Sequence, residues 1–439
     1  MFSALDNIYT VIVYGNCIRI IIFKCDPVRM PAFYDGSRSQ YELSIMIYDV
    51  VIIGAGAAGL MCAAQAGYAG KRVLVLDHAN KAGKKILMSG GGRCNFTNLG
   101  TTPQHFYSSN PYFCISALKR YRPEHFVELV ERHGVEHVEK TPGQLFCATS
   151  AKDIVHTLLT ECEWAGAEIR LSTQVTRVEQ QGSAMRLTTS IGKIDAGVVV
   201  IASGGLSIPS MGATGFGYDI ARQFGLEVFA TRPGLVPFTL SDTWKARAAD
   251  LSGLSVPVAV SAGSRRFVEP MLFTHRGLSG PAMLQISSVW QPGESISIDL
   301  LPNENVAESL RHARQETPKR QLSTWLGERF PKRFAQALLE WYPDHDLARP
   351  LAQYANAALD EWVQRLNAWQ LKPAGTEGWR TAEVTMGGVN TDAISSKTFE
   401  VKGLPQLRFI GEVLDVTGEL GGYNFQWAWA SGVACGQSV

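Results

Sequence analysis

The stretch from Tyr48 to Asp77 constrains everything else this chain can fold into. It reads Tyr-Asp-Val-Val-Ile-Ile, then Gly54-Ala-Gly56-Ala57-Ala58-Gly59, an alanine-rich run to Gly70, and Lys-Arg-Val-Leu-Val-Leu-Asp. The order is buried strand, glycine turn, helix and a second strand tipped by an acid, which is a βαβ unit of the Rossmann type. Gly54 permits the tight turn, Gly56 leaves room for a pyrophosphate beside the backbone, and Gly59 lets the helix approach the strand. The helix aims unpaired N–H groups and the positive end of its dipole at the phosphates. Asp77 follows Gly54 by 23 positions, where a carboxylate accepts the hydroxyls of an adenosine ribose. A lone glycine fingerprint is weak, but here all five parts agree, so a dinucleotide is expected.

At 439 residues the chain is too long for one ordinary core, and two or three domains are expected. A hydrophobic share of 46% with 18% charged residues belongs to a soluble globular protein. The formal net charge of +1 provides no field to gather nucleic acid or an anionic membrane surface, so neither partner is expected. The eight cysteines (Cys17, Cys25, Cys62, Cys94, Cys114, Cys147, Cys162 and Cys435) are scattered without a zinc-ligand or Cys-x-x-Cys spacing. That pattern implies no metal, and reduced thiols in a cytoplasmic protein. Residues 8–24 are apolar but short for a membrane span and interrupted by Gly15 and Arg19. The expectation for residues 1–45 is an extension outside the fold, which either precedes a natural start near Met46 or forms a poorly packed tail; retention of Met1 in native protein, read by mass spectrometry, would remove the first of these.

Residues 84–98 read Lys-Lys85-Ile-Leu-Met-Ser-Gly-Gly91-Gly92-Arg93-Cys94-Asn95-Phe-Thr-Asn. Three successive glycines suit neither a regular strand nor a regular helix, so a loop is expected whose backbone comes close to a ligand. Helical spacing follows over 123–134 and 151–166, then strand-like alternation over 168–171, 174–179 and 184–189. In flavoproteins with two dinucleotide folds a strand at this place passes the adenine, and Val175 is the position assigned to it. Val198-Val-Val-Ile-Ala-Ser-Gly-Gly is a further buried strand, whose glycines, Gly204 among them, return to the cofactor. Gly212 to Gly217 imitates a second nucleotide turn, but no strand feeds it and no acid-tipped strand follows, so it is read as structural.

From Val236 to Leu300 the texture becomes short alternating segments punctuated by Gly, Pro and Ser, the mark of a small barrel or curved sheet. Inside it Leu272-Phe-Thr-His275-Arg276-Gly-Leu-Ser-Gly-Pro281 offers a titratable ring and a cation in a glycine-bracketed loop. His275 is the candidate proton donor and Arg276 the candidate anchor for a carboxylate or anionic transition state, against the plainer reading of a turn cap and a surface ion pair. Residues 305–371, rich in Ala, Leu, Gln, Glu and Arg with four tryptophans, read as a helical insert.

The C-terminal stretch Leu407-Arg-Phe-Ile-Gly411-Glu412 and Gly418-Glu-Leu-Gly-Gly422-Tyr423-Asn424 leads into an apolar helix. Glu412 suits the hydroxyls of a ribityl chain, and the N–H groups of Gly422 to Asn424 suit a flavin edge that gains negative charge on reduction. Two distant stretches thus fit two ends of one FAD.

On Gly54 to Gly59, the 84–98 block, Leu272 to Pro281, Met386-Gly-Gly-Val389 and Gly411 to Gly432, the chain from about residue 46 to 439 resembles a bacterial family of FAD-dependent oxidoreductases, labelled aminoacetone-oxidase-like or of the bile-acid-reductase type. The resemblance implies an α/β fold with a two-dinucleotide-fold-type FAD domain, a Rossmann-like βαβ with a discontinuous C-terminal piece, plus inserted β-barrel and helical domains. The expected boundaries are 46–232 and 386–439 for FAD, 233–304 and 372–385 for the barrel, and 305–371 for the helices. It also implies cofactor contacts from Gly54, Gly56, Ala57, Ala58, Gly59, Asp77, Lys85, Gly91, Gly92, Arg93, Cys94, Asn95, Val175, Gly204, Gly411, Glu412, Gly422, Tyr423 and Asn424. The shorter Asp77 stands where many flavoproteins carry Glu.

A disulfide reductase is not expected, because no second cysteine lies near Cys94 in its loop. The absence of a second fingerprint means that any NAD(P)H docks transiently. The expected activity is two-electron hydride transfer between a small organic substrate and FAD with NAD(P)H as transient partner; the alternatives are an oxygen-dependent flavin oxidase and a non-catalytic redox sensor. Substrate and oligomeric state are not legible.

Overall fold

A computed structural model of the chain describes residues 9–14, 17–22, 48–342 and 349–439. Residues 1–44 and 45–439 form two separate units. In the first, Tyr9–Tyr14 pairs antiparallel with Cys17–Ile22 as a hairpin; most of the 1–45 extension lies outside the described residues.

In the second unit, β1 (Tyr48–Ile53) leads through α1 (Ala57–Tyr68) to β2 (Val73–Leu76). Both strands are near-continuous apolar runs because a parallel strand is covered on both faces, and all four side chains of β2 are buried. The 84–98 block, expected as a loop, opens instead with α2 (Lys84–Gly92) and closes with a strand over Asn95–Asn98. Only its middle is irregular: Ser89 turns extended, and Gly90, Gly91 and Gly92 adopt φ of 56, 66 and 81°. Lys84 to Met88 are good helix formers, and the glycine triplet is where that helix must stop.

The sheet continues through β3 (Glu168–Arg170), β4 (Val175–Gln181), β5 (Ala184–Thr189), β6 (Gly192–Ile201) and β7 (Leu404–Phe409). β3, β2, β1, β6 and β7 lie parallel in that order, so all their carboxyl ends meet at one edge. Ten-residue β6 changes partner midway: its first half closes an antiparallel hairpin with β5, its second half inserts between β1 and β7. A late strand thereby carries the C-terminal segment to the edge that Gly54 and Asp77 occupy.

The final helix, α3 (Tyr423–Gly436), lies against α1. A Cβ on Gly432 would stand 2.6 Å from the Ala58 carbonyl oxygen, and one on Gly436 would stand 2.5 Å from that of Cys62. Two glycines on one helix and small residues on the other allow backbones to touch, which holds the two helix starts side by side.

A second core gathers residues 238–371. Its seven-stranded antiparallel sheet runs Trp369–Leu371, Ile296–Asp299, Ser255–Ala262, Arg265–Thr274, Gly277–Ser279, Phe238–Thr239, Gly375–Thr376. The two edge strands are separated by three residues, a reach of at most roughly 15 Å, so the sheet curls barrel-like. The helices end at Asn367, and Trp369–Leu371 already belongs to the sheet, so the expected change at 371 falls inside an edge strand. Barrel and helices share one buried cluster, with Trp325 and Trp362 fully inside it.

Candidate cofactor and substrate site

The opening glycines divide into those the protein needs and those a ligand needs. Gly54 has φ of 115°, and a Cβ there would lie 2.4 Å from the Ala202 carbonyl oxygen at the end of β6; a Cβ on Gly59 would meet the Gly54 oxygen at 1.9 Å. Both are required by strand and helix packing. Around a Cβ on Gly56, Gly91 or Gly92 there is no heavy atom within 4 Å, so no packing contact explains these three, and the space beside them is free for a cofactor.

Both helix starts at this edge lack side-chain caps. α1 begins after Gly56, and α3 begins after Gly422 at φ of 97°, each with no acid in its first turn. The N–H groups of Ala57, Ala58 and Gly59, and those of Tyr423 and Asn424, are left for an outside acceptor. Two uncapped starts on adjoining helices form a cradle suited to a pyrophosphate at one end and an anionic ring edge at the other. Ser203 adds a buried hydroxyl without a hydrogen-bond partner in the loop after β6. The residues present fit an FAD.

Asp77 reaches back to the turn. Its carboxylate accepts the N–H of Ala55 and the N–H of Ala79, each at 2.7 Å, and His78 Nδ1 lies 3.7 Å away. The acid at the tip of β2 therefore fixes the glycine turn itself, with its remaining lone pairs available to a ribose. Val175, buried at the start of β4, follows Thr173, whose N–H donates to the Asp77 carbonyl, so it stands near the tip of β2.

Glu412 and Lys85, 327 residues apart, form an ion pair at 3.0 Å. Lys85 Nζ also donates to Ser207 Oγ at 2.7 Å, while Glu412 accepts the N–H of Thr385 at 2.9 Å and that of Gly205 at 3.4 Å. A Cβ on Gly204 would reach Glu412 Oε2 at 3.6 Å. Burial pushes the Glu412 carboxyl up, but the Lys85 cation and these donors outweigh it and hold the group below the usual carboxylate range. It is thus a fixed anion, the form that accepts ribityl hydroxyls. Ser207 and Thr385 were not legible beforehand, since neither stands in a recognisable pattern. Gly411, beside Glu412, meets α1: a Cβ there would lie 2.9 Å from that of Ala58.

The Arg93–Asn98 block packs against the start of α3. Thr97 Oγ1 donates to Gln426 at 2.7 Å, Asn98 Nδ2 to the Gly421 carbonyl at 2.9 Å, and Trp429 Nε1 to that of Phe96 at 2.8 Å. A Cβ on Gly422 would sit 2.5 Å from Thr97 backbone atoms. Asn95 meets Gln144 side chain to side chain at 2.9 Å. Asn424 uses its amide to staple Gly418, donating to its carbonyl and accepting its N–H at 2.8 Å, so its backbone N–H is the group left to offer a ligand. Cys94 is fully buried with φ of 48°, and burial pushes its thiol far up; it is a packed residue, not a thiolate. Arg93 is exposed.

His275 stands exposed in the turn between Arg265–Thr274 and Gly277–Ser279. Arg276 lies 3.7 Å from Glu377 through its guanidinium, and its carbonyl accepts the Leu240 N–H. Glu377 is two residues from Trp379, whose carbonyl accepts the Ile208 N–H next to Ser207. Among the described residues no hydrogen bond or ion pair joins His275 or Arg276 directly to the Lys85–Glu412 pair.

A polar cluster not anticipated from the sequence lies where the curved sheet meets the loop before α3. The Glu419 carboxylate accepts from Tyr107 OH at 3.2 Å and sits 3.6 Å from Arg265, whose guanidinium lies 5.2 Å over the Tyr107 ring. Gln285 takes the Leu420 N–H at 2.9 Å and donates to Glu269 at 3.4 Å. Tyr423 stacks on His105 at 4.4 Å. The signal was present in the alternation of Arg265, Phe267 and Glu269 along one strand face, two charges on a face that a core would fill with aliphatics.

Two surface hollows of about 430 and 420 Å3, the first bordered by Glu124, Glu128 and Glu139 and the second by His133 and His156, include none of these residues. Among the described residues no group of His, Cys, Asp or Glu side chains suits a metal ion, and no helix is long and apolar enough to cross a membrane.

With this geometry in view, three relatives are informative. The chain is 49% identical over 395 residues, 89% of its length and 98% of the relative's, to a ribosomal RNA dihydrouridine synthase of Escherichia coli. It is 50% identical over 406 residues, 91% of its length and 99% of the relative's, to a protein of the same name from Haemophilus influenzae. It is 28% identical over 405 residues, 88% of its length and 98% of the relative's, to a 3-dehydro-bile acid delta(4,6)-reductase of Clostridium scindens. The profile described as HI0933-like protein Rossmann domain matches residues 48–438, and the chain belongs to that HI0933-like Rossmann family.

Proposed function

We propose that the protein is an FAD-dependent reductase that saturates the C5=C6 bond of a uridine in ribosomal RNA, with NAD(P)H as transient electron donor. The observation that carries this reading is identity at about half of the 395 to 406 aligned residues, spanning nearly the whole length of relatives bearing that name. The chemistry agrees with the cradle. The C5=C6 bond is conjugated to the C4 carbonyl, so C6 accepts a hydride, and when bound FAD supplies that two-electron exchange, which no side chain performs.

The chain's own residues bind and orient. The N–H groups that start α1 hold the pyrophosphate, Asp77 and Val175 the adenosine end, Glu412 with Lys85 the ribityl hydroxyls, and the start of α3 the ring edge that turns anionic. His275 and Arg276 lie in a turn of the curved sheet; an exposed ring and a half-exposed guanidinium suit holding the substrate's phosphates better than delivering a proton.

A net charge of +1 argued against nucleic acid. On the present reading recognition rests on a few local contacts and a base drawn out of its stack, with little help from bulk attraction. The site of action is then the compartment that holds ribosomal RNA, in keeping with the cytoplasmic expectation.

A second reading keeps the same reaction on a small conjugated ketone, favoured by the weak overall charge and by the bile-acid reductase relative. The test is to incubate FAD-loaded protein and NADPH with ribosomal RNA from cells lacking the enzyme and to measure nucleosides by mass spectrometry. Dihydrouridine at one position is expected. RNA left unchanged while small enones reoxidise the flavin would replace this reading by the second.

A further inference from the structure

Resting on the reduction of uridine, and deepening it, we infer that Glu269 is the acid that protonates C5 of the uracil ring. Three observations converge on this carboxyl. It projects from the curved sheet on the same strand face as Arg265 and Phe267, half-buried, toward the loop that opens α3. Gln285 grips that loop and Glu269 together: its amide accepts the Leu420 N–H at 2.9 Å and donates toward the Leu420 carbonyl and Glu269 Oε1, each at 3.4 Å. Three residues past Leu420 begins the helix whose N–H groups face the flavin ring, so the acid is fixed relative to the reacting edge by a side chain from a different element.

The groups facing it decide which form it takes. Glu419 and Tyr423 come from the α3 loop, Tyr107 from the strand Phe106–Tyr107, Arg265 from its own strand and Gln285 from the helix Pro281–Ser287. Arg265 lies over Tyr107 and on Glu419, which neutralises Glu419 and leaves Glu269 without an assigned cation. Burial raises the Glu269 carboxyl, the Gln285 hydrogen bond lowers it, and the Glu419 charge raises it further; the net direction is up. Oε1 takes the Gln285 hydrogen bond, so Oε2 is free to carry the proton. Tyr423 is pushed up to about 12 by burial and the two carboxyls, and burial moves Tyr107 higher still; both phenols are poorer donors than the carboxyl.

The step balances. A hydride, two electrons with one hydrogen from reduced FAD recharged by NAD(P)H, forms the C6–H bond and breaks the C5=C6 π bond, whose electron pair moves onto the C4 carbonyl as an enolate. C5 then takes the proton from Glu269, the carbonyl re-forms, and Glu269 regains a proton from water. One NAD(P)H and one proton are consumed for each dihydrouridine.

The experiment compares FAD-loaded wild type, E269Q, E269D, Y107F and Y423F. In E269Q, flavin content, anaerobic bleaching by NADPH and RNA affinity are expected to stay within about twofold, while reoxidation of the reduced protein by RNA slows about 100-fold or more. In wild type that reoxidation falls as pH rises through the raised carboxyl; E269D retains a pH-dependent rate and E269Q is flat. Independently of activity, a carboxyl raised by folding destabilises the fold at higher pH and ceases to do so as pH falls through its folded pKa, so E269Q melts at or above wild type at neutral pH and the gap closes in acid. Wild-type reoxidation rates in E269Q, or loss in Y107F or Y423F with E269Q intact, overturn the assignment. Failure of the uridine reading looks different: wild type then makes no dihydrouridine from any RNA, yet still reduces an enone.

Discussion

The cradle at the carboxyl ends of the parallel strands and the polar cluster at the mouth of the curved sheet are built in opposite ways. The cradle is made of backbone: glycines that permit contact, two helix starts without caps, and one ion pair between Lys85 and Glu412. The cluster is made of side chains, with Tyr107, Arg265, Glu269, Gln285 and Glu419 meeting from separate segments. Holding a cofactor that brings its own chemistry needs shape and N–H groups, whereas delivering a proton to one substrate carbon needs a titratable group with chosen neighbours.

The largest test of this contrast lies within the cradle. Gly59→Ala places a carbon 1.9 Å from the Gly54 oxygen and is expected to destabilise by more than ~4 kcal/mol, so that no FAD-loaded protein is recovered. Gly56→Ala has open space around it; its apo form should melt within about 2 °C of wild type while FAD affinity drops about tenfold or more, because the methyl meets the pyrophosphate. Equal FAD affinity in Gly56→Ala, by fluorescence titration, would break the division between glycines that serve the fold and glycines that serve the ligand.

Next comes the one ion pair. Lys85→Met leaves Glu412 without its cation, and with Lys85 about one-third exposed the cost is expected at ~1–2 kcal/mol, measured by denaturant titration. The sign with pH follows from the depressed Glu412 carboxyl: its contribution is present above the ordinary carboxylate range and is lost as pH falls through the lower folded value. Wild type should therefore lose stability in acid more steeply than Glu412→Gln, and parallel acid curves would show the pair contributes nothing.

A smaller effect is expected at Cys94. Removing a fully buried sulfur in Cys94→Ala should cost about 1 kcal/mol and leave turnover within about threefold. A loss of about 100-fold in turnover with FAD retained would move the proton donor into the cradle and dissolve the contrast. Smallest of all is salt: on the proposed reading that ribosomal RNA is the substrate, a chain this close to neutral should bind RNA with a log–log salt slope no steeper than about −3, and a slope near −6 would reveal a basic track that net charge conceals.

The fold's centre was legible early because its signals are local. Tyr48 to Asp77 carries strand, turn, helix and acid in 30 consecutive residues, and the structure adds only that Asp77 also ties the turn through Ala55. The glycine triplet was correctly read as irregular, but the loop assigned around it hid a helix over Lys84 to Met88, because glycines dominated the reading of their neighbours. The expected helical stretch ran to 371, four residues past the last helix at Asn367, because Trp369, Gln370 and Leu371 hold too little pattern to mark a strand that exists only through pairing with Ile296–Asp299.

By itself the sequence determined the strand, glycine turn, helix and acid-tipped strand over Tyr48 to Asp77 and singled out Gly411 to Asn424 as a second glycine-rich stretch leading into a helix, since backbone conformation and helix starts are written in neighbouring residues. Only the tertiary structure decided what surrounds them. Lys85 finds Glu412 across 327 positions, Asn98 finds Gly421 across 323, and Glu269 comes under Gln285 at the α3 loop because a strand of the curved sheet carries it there. A contact between segments hundreds of residues apart leaves no spacing in the chain, so the cofactor was readable in one dimension and the proton donor only in three.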